Sequence, residues 1–212
     1  MENRRELSTR KIGFFQNLAK VLCRLGLTPN SVSVLSMVFA AMGAYGFYTM
    51  SSNHFVLGWF LAFLGIQFRL LCNMIDGLMA VEGGLKTEFG EVFNDLPDRV
   101  SDVLIIICAS FLIQHEYARD LGWMAATLAV MTAYVRLLAK SMGYKMDFCG
   151  PMAKQHRMAM LNLALLLSMV AYLLRYEGYV SVIFHYTVWI IIVGSFLTCI
   201  RRLLRMRGQK AH

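Results

Sequence analysis

Apolar residues in this chain come in blocks too long for the stripe of an amphipathic helix and too continuous for the alternation of a strand. Such blocks fall at 31–50, 55–81, 122–138, 158–174 and 180–200, and another begins near Gly90 and is strongly apolar from Val103 to Ile113. A helix needs roughly 20 mostly apolar residues to cross the hydrocarbon layer of a bilayer. Six such segments with short connections leave no room for a soluble domain. Composition agrees: 58% of the residues are hydrophobic and 16% charged, against about a quarter charged in a soluble domain. The expected class is an all-α integral membrane protein of six transmembrane helices, preceded by an N-terminal amphipathic surface helix.

That surface helix is read in residues 1–27. Ile12, Phe15, Leu18, Val21, Leu22 and Leu25 recur at helical spacing, and Lys11, Lys20 and Arg24 lie on the opposite face. No signal-peptide pattern is present, because the initial charges are not followed by an apolar core and a small-residue cleavage site. Thr28-Pro29-Asn30 ends this segment and caps the first span. The expected division is a juxtamembrane segment at 1–30, a membrane domain at 31–200 and a basic tail at 201–212.

Lysine and arginine placement gives the orientation. Six lie before Asn30, one is Lys86, four run from Lys140 to Arg157 and five are in the tail, sixteen on one side against Arg119 and Arg175 on the other. Both termini are therefore expected in the cytoplasm, with the membrane a bacterial inner membrane. The net charge of +8 collects beside apolar spans, which fits contact with anionic membrane lipids and not with nucleic acid. The five cysteines show no CxxC or Cys/His spacing, so neither zinc nor a disulfide framework is indicated.

Arg69, Arg99 and Arg136 fall inside predicted spans, where charge is expensive and usually functional. The polar interruption is concentrated from Arg69 to Asp102. Asn73 and Asp76 are three apart and Asn94 and Asp98 four apart, so each pair projects from one helix face. Gly77 and Ala80 keep the surface beside Asp76 low enough for a bulky ligand to reach the backbone. A short turn over 82–88 joins the two helices, which must pack antiparallel and bring the four side chains together at the cytoplasmic end. Carboxylate and carboxamide oxygens suit a hard divalent ion, Mg²⁺ or Mn²⁺, shared with substrate phosphates. Arg69, one turn before Asn73, is placed to meet a phosphate oxygen. The competing structural reading is that these polar residues sit at headgroup level or hold helices together.

These residues resemble the signature of the CDP-alcohol phosphatidyltransferase family, D-x2-D-G-x2-A-R-x8-G-x3-D-x3-D. The chain reads Asn73, Asp76, Gly77, Ala80, Val81, Gly90, Asn94 and Asp98 with every spacing kept. The resemblance extends to the Thr-Pro-Asn entry, the six spans and a basic loop between spans four and five. It implies transfer of a phosphatidyl group from a CDP-diacylglycerol-type lipid to a polar alcohol, with release of CMP, by a homodimer whose site faces the cytoplasm. Carried over by position, Asp76 is a metal ligand, Asp98 a ligand and the catalytic base, and Asn73 and Asn94 metal ligands through carbonyl oxygen. Gly90 belongs to the substrate site. Two aspartates of the pattern are asparagine here and its arginine is Val81, so one or two ions would be held more weakly, and Arg69 or Lys86 would stand in for the missing arginine. Lys154 and Arg157, three apart at the start of span five, are placed to bind an anionic acceptor or the lipid phosphate. Two other readings compete: a degenerate member that binds lipid nucleotide or partner proteins without turnover, and a small transporter.

Overall fold

The computed structural model describes residues 13–52, 54–82, 89–144 and 149–207. Among these residues every regular element is a helix: α1 (Gly13–Arg24), α2 (Pro29–Ser51), α3 (Phe55–Glu82), α4 (Gly90–Ser110), α5 (Ala118–Ser141), α6 (Lys154–Leu173) and α7 (Gly178–Arg207). An all-helical outcome follows from the apolar blocks, because in lipid each backbone N–H and C=O has to be satisfied within its own segment. Thr28 caps α2 as its sequence predicts. Its hydroxyl accepts from the Ser31 amide at 3.2 Å, and Ser31 Oγ accepts from the Thr28 amide at 3.0 Å.

Among the described residues five helices are long and apolar enough to cross a membrane: α2, α3 over Phe55–Ala80, α5, α6 and α7. The sixth expected span, α4, is not among them. Its 21 residues reach about 31 Å at 1.5 Å per residue, so length is sufficient. Charge is the difference, because Glu91, Asp95, Asp98, Arg99 and Asp102 crowd its N-terminal part. The bundle is apolar outside, and its interior combines small and polar residues with large apolar ones such as Phe47, Ile105 and Phe184. Val38, Leu163, Leu166, Val170, Val193 and Leu197 are exposed, whereas Ala40, Ala44, Ala125, Ala129, Ser36 and Ser195 are buried. That arrangement suits helices that associate by close packing while lipid solvates their outer faces.

α2 packs against α3 and α4, α5 against α4 and α7, and α6 against α7 and α3. Contact between α2 and α3 is backbone-close at Gly46, where an added Cβ would lie 2.2 Å from the Ala62 amide nitrogen. α1 does form, but its apolar face is partly taken by protein. Phe15, Leu18, Ala19 and Leu22 pack with Cys72, Ile75, Leu78 and Met79 of α3, while Lys20 and Arg24 face outward. Ile12 and Lys11 lie outside the described residues.

Two features at the other end of the chain set up the site. Gly150 has φ of +132° and abuts Thr198, and the Met152 amide donates to Thr198 Oγ1 at 3.0 Å. The segment before α6 is thereby fixed on α7. The basic stretch expected as a tail from 201 continues α7 to Arg207. Within it Arg202 is buried and donates through Nε to the Cys149 carbonyl at 3.1 Å and through Nη1 to the Thr132 carbonyl.

Candidate active site

Helical periodicity puts Arg69, Asn73 and Asp76 along one face of α3, and Asn94, Asp98 and Asp102 along one face of α4. The expected close packing of α3 on α4 is not what forms: both pack against α2, and the two faces meet through individual side chains. Asn73 Nδ2 donates to Asp98 Oδ1 at 3.0 Å, joining the two halves of the signature directly. Lys154, at the first turn of α6, places its ammonium on Asp98 Oδ2. Arg69 Nη2 and Arg99 Nη2 lie 3.6 and 3.9 Å from the same carboxylate. Asp98 is itself buried.

Asp76 faces a different partner. Ser33 of α2 donates to Asp76 Oδ2 at 2.6 Å, while Asp76 Oδ1 is buried with no hydrogen-bond partner among the described residues. Asn94 is exposed one turn before Asp98, and Gly77, Ala80 and Gly90 are partly buried. Lys86 and the loop at 83–88 lie outside the described residues, and of Val81 only its place in the last turn of α3 is described.

Behind Asp98 lies a fully buried ionic cluster. Asp102 accepts from Arg69 Nη2 at 2.6 Å through Oδ1 and from Arg157 Nη2 at 2.8 Å through Oδ2. Arg157 Nη1 also donates to Thr132 Oγ1 at 3.2 Å and to the Met152 carbonyl at 3.0 Å. Arg69 and Arg157, expected from sequence to meet substrate phosphate, are both at 0% exposure. Arg157 is held on Asp102, whereas Arg69 also comes within 3.6 Å of the Asp98 carboxylate. Arg136, the remaining arginine of a predicted span, grips Asp95 with two bonds of 2.9 and 2.8 Å.

Asp102, Ser33 and Asp95 drew no role from sequence. Asp102 had a usable signal, since it lies one turn beyond Asp98 on the same face. Ser33 and Asp95 had none, because their partners are 43 and 41 residues distant.

Four cations (Arg69, Arg99, Lys154 and Arg157) surround two carboxylates, Asp98 and Asp102, so positive charge is in excess around them. Asn94, one turn before Asp98, is exposed at the edge of this cluster. No cluster of three His, Cys, Asp or Glu residues poised for metal occurs among the described residues. The motif's own donor set is two carboxylates and two carboxamides. The unpartnered, buried Asp76 Oδ1 fits a hard cation, which is the group that would satisfy it.

Similarity to known proteins bears on the same region. The sequence profile described as CDP-alcohol phosphatidyltransferase matches residues 26–200. The phosphatidylinositol phosphate synthase of Mycobacterium bovis is 27% identical over 191 residues, which cover 88% of this chain and 82% of that protein. The protein of that name from Corynebacterium glutamicum is 25% identical over 197 residues, 91% of this chain and 83% of that one. In fold, the chain is similar to the Mycobacterium tuberculosis phosphatidylinositol phosphate synthase crystallised with manganese and citrate. The TM-score is 0.74 at 23% identity, over 91% of this chain and 88% of that one. A second crystal structure of that synthase, with CDP-DAG bound, gives a TM-score of 0.70 at 23% identity, over 91% and 92% of the two chains.

Proposed function

Because the chain belongs to the CDP-alcohol phosphatidyltransferase family, we propose that it moves a phosphatidyl group from CDP-diacylglycerol to the hydroxyl of a polar alcohol and releases CMP. The observation that carries this reading is the bond from Asn73 to Asp98, 3.0 Å long, which brings the two separated halves of the signature into one site. Similarity to a synthase whose crystal structure contains CDP-DAG supports the choice of donor.

Asp76, Asn73, Asn94 and Asp98 are the residues that would hold Mg²⁺ or Mn²⁺. A divalent ion bound there supplies charge neutralisation for the diphosphate and the departing CMP. The chain's own residues do the rest. The excess positive charge around Asp98 and Asp102 draws the diphosphate toward α3 and α4. Gly77 and Ala80 leave the α3 surface low where the nucleotide approaches. Lys154, only partly buried, can turn from Asp98 to an anionic group of either substrate, which frees Asp98 Oδ2. The acceptor hydroxyl then attacks the lipid-side phosphorus. The new P–O bond forms as the bond to the CMP phosphate breaks, and the hydroxyl proton passes to Asp98. Gly90, at the first turn of α4, completes the substrate site.

In this reading α4 is a sixth span whose charges are neutralised inside the bundle. α1 lies along the cytoplasmic surface of the membrane, both termini are cytoplasmic, and two copies form a homodimer. The segment 1–30 and the end of the basic tail flank the membrane domain at 31–200.

Purified protein in detergent, given CDP-diacylglycerol, Mg²⁺ or Mn²⁺ and a panel of polar alcohols, should release CMP with at least one acceptor. Absence of CMP with every acceptor, under conditions where a phosphatidylinositol phosphate synthase works, would sink the enzyme reading. The same protein would then be a lipid-nucleotide binder without turnover. The Lys154 ammonium on Asp98 favours that second reading, and it predicts CDP-diacylglycerol binding with no CMP.

A further inference from the structure

Resting on the metal-dependent reading above and narrowing its four-residue donor set, we infer that Lys154 is the built-in counter-ion of Asp98 until substrate draws it away, and that the site takes one divalent ion, at Asp76 and Asn73, in place of a pair. Three observations carry it. First, both carboxylate oxygens of Asp98 are in use: Oδ1 accepts from Asn73 at 3.0 Å and Oδ2 meets the Lys154 ammonium. Arg69 and Arg99 approach the same group to 3.6 and 3.9 Å. With no substrate bound, a divalent ion beside Asp98 would lie among three cations, and their repulsion counts most in a buried, weakly screened site.

Second, Asp76 is the reverse case. Its Oδ2 is held by Ser33 at 2.6 Å, and its buried Oδ1 has no partner among the described residues. Asn73 assists it. Only the amide nitrogen of an asparagine can donate to a carboxylate, so the Asn73 carbonyl oxygen is directed away from Asp98, one turn before Asp76 on the same face of α3. One carboxylate oxygen and one carboxamide oxygen make a starting pair of ligands for a hard ion, with substrate phosphate or water completing the shell.

Third, Lys154 is anchored at its backbone. The segment before it is fixed by Met152 to Thr198 at 3.0 Å, and Arg157, one turn later, is locked to Asp102 at 2.8 Å. The root of the Lys154 side chain is therefore held beside Asp98, and a charge at that point is a built feature.

Manganese binding, measured by electron paramagnetic resonance in detergent with no lipid donor, tests this. Wild type should bind one Mn²⁺ per chain. D98N should keep that ion with little change in affinity, D76N should lose it, and K154R should match wild type. K154M should bind a second ion, or bind the first about tenfold more tightly, the scale on which residues around a metal change its affinity. Two ions in wild type, or loss of the ion in D98N with retention in D76N, or a K154M protein indistinguishable from wild type, would each overturn the inference. CMP release from the same preparations separates it from the transferase reading. Two ions with CMP released overturns the ion count alone, and no ion together with no CMP overturns both.

Discussion

Asp102 holds Arg69 through one carboxylate oxygen at 2.6 Å and Arg157 through the other at 2.8 Å, so a single side chain of α4 ties α3 to α6. All three residues are at most 1% exposed. Removing Asp102 strands two buried guanidinium groups. Asp102→Ala should therefore lose about 3–5 kcal/mol, the scale for breaking a buried ionic cluster by deleting one partner. A thermal melt followed by size-exclusion chromatography in detergent would read this as a large fall in midpoint. Replacing all three by apolar residues of similar size should recover much of the loss. A triple variant as unstable as the single one would mean that the cluster's polar contacts, and not its stranded charge, hold the helices.

Ser33 and Asp76 form the next testable pair. A hydroxyl bond of 2.6 Å fixes Oδ2 and leaves Oδ1 in one orientation. Ser33→Ala should weaken Mn²⁺ binding about tenfold to a hundredfold, as loss of a partner behind a metal ligand does, and Ser33→Thr should restore it. Asp76→Asn should abolish detectable binding. Equal affinity in Ser33→Ala and wild type would mean that Asp76 needs no such support.

The membrane class and the shared helix faces of the candidate site were readable in sequence because each rests on local periodicity. Apolar blocks become helices whatever they pack against, and Asn73/Asp76 and Asn94/Asp98 share faces by spacing alone. What was not readable depends on tertiary partners. Arg69 and Arg157 look like phosphate ligands in sequence, since an arginine near a motif carries no sign of being spoken for. Asp102 takes both, and only the docking of α6 against α3 reveals it. α4 fell short as a span for a related reason. Its charges suit water when read along the chain, and Asp95, Asp98 and Asp102 are paired once Arg69, Arg136, Lys154 and Arg157 arrive from other helices.

Close approach of α2 and α3 gives a prediction with an internal control. A Cβ at Gly46 would sit 2.2 Å from the Ala62 nitrogen, whereas a Cβ at Gly43 would meet the Ala62 carbonyl oxygen at an ordinary 3.5 Å. Gly46→Ala should force the helices apart, costing about 1–3 kcal/mol as overpacking does, and should carry Ser33 away from Asp76. Gly43→Ala should be close to neutral. Comparing monodisperse yield and melting midpoint for the two variants checks the contrast, and equal behaviour would refute the packing shown.

Asn73 is the position where charge and metal can be separated most cleanly. Its amide now donates to Asp98 Oδ1 at 3.0 Å. An aspartate there would replace a hydrogen bond by two carboxylates facing each other, and like charges at about 3 Å cannot both stay ionised without a cation or a shared proton. Asn73→Asp should therefore melt below wild type in chelator. Added Mn²⁺ should reverse the order, because an ion that binds the folded state raises its stability in proportion to the logarithm of ligand over Kd. The measurement is the melting midpoint of both proteins across a manganese titration, and the two curves should cross. Parallel curves would mean that residue 73 does not face the bound ion, and that the oxygen donors of α3 reduce to Asp76.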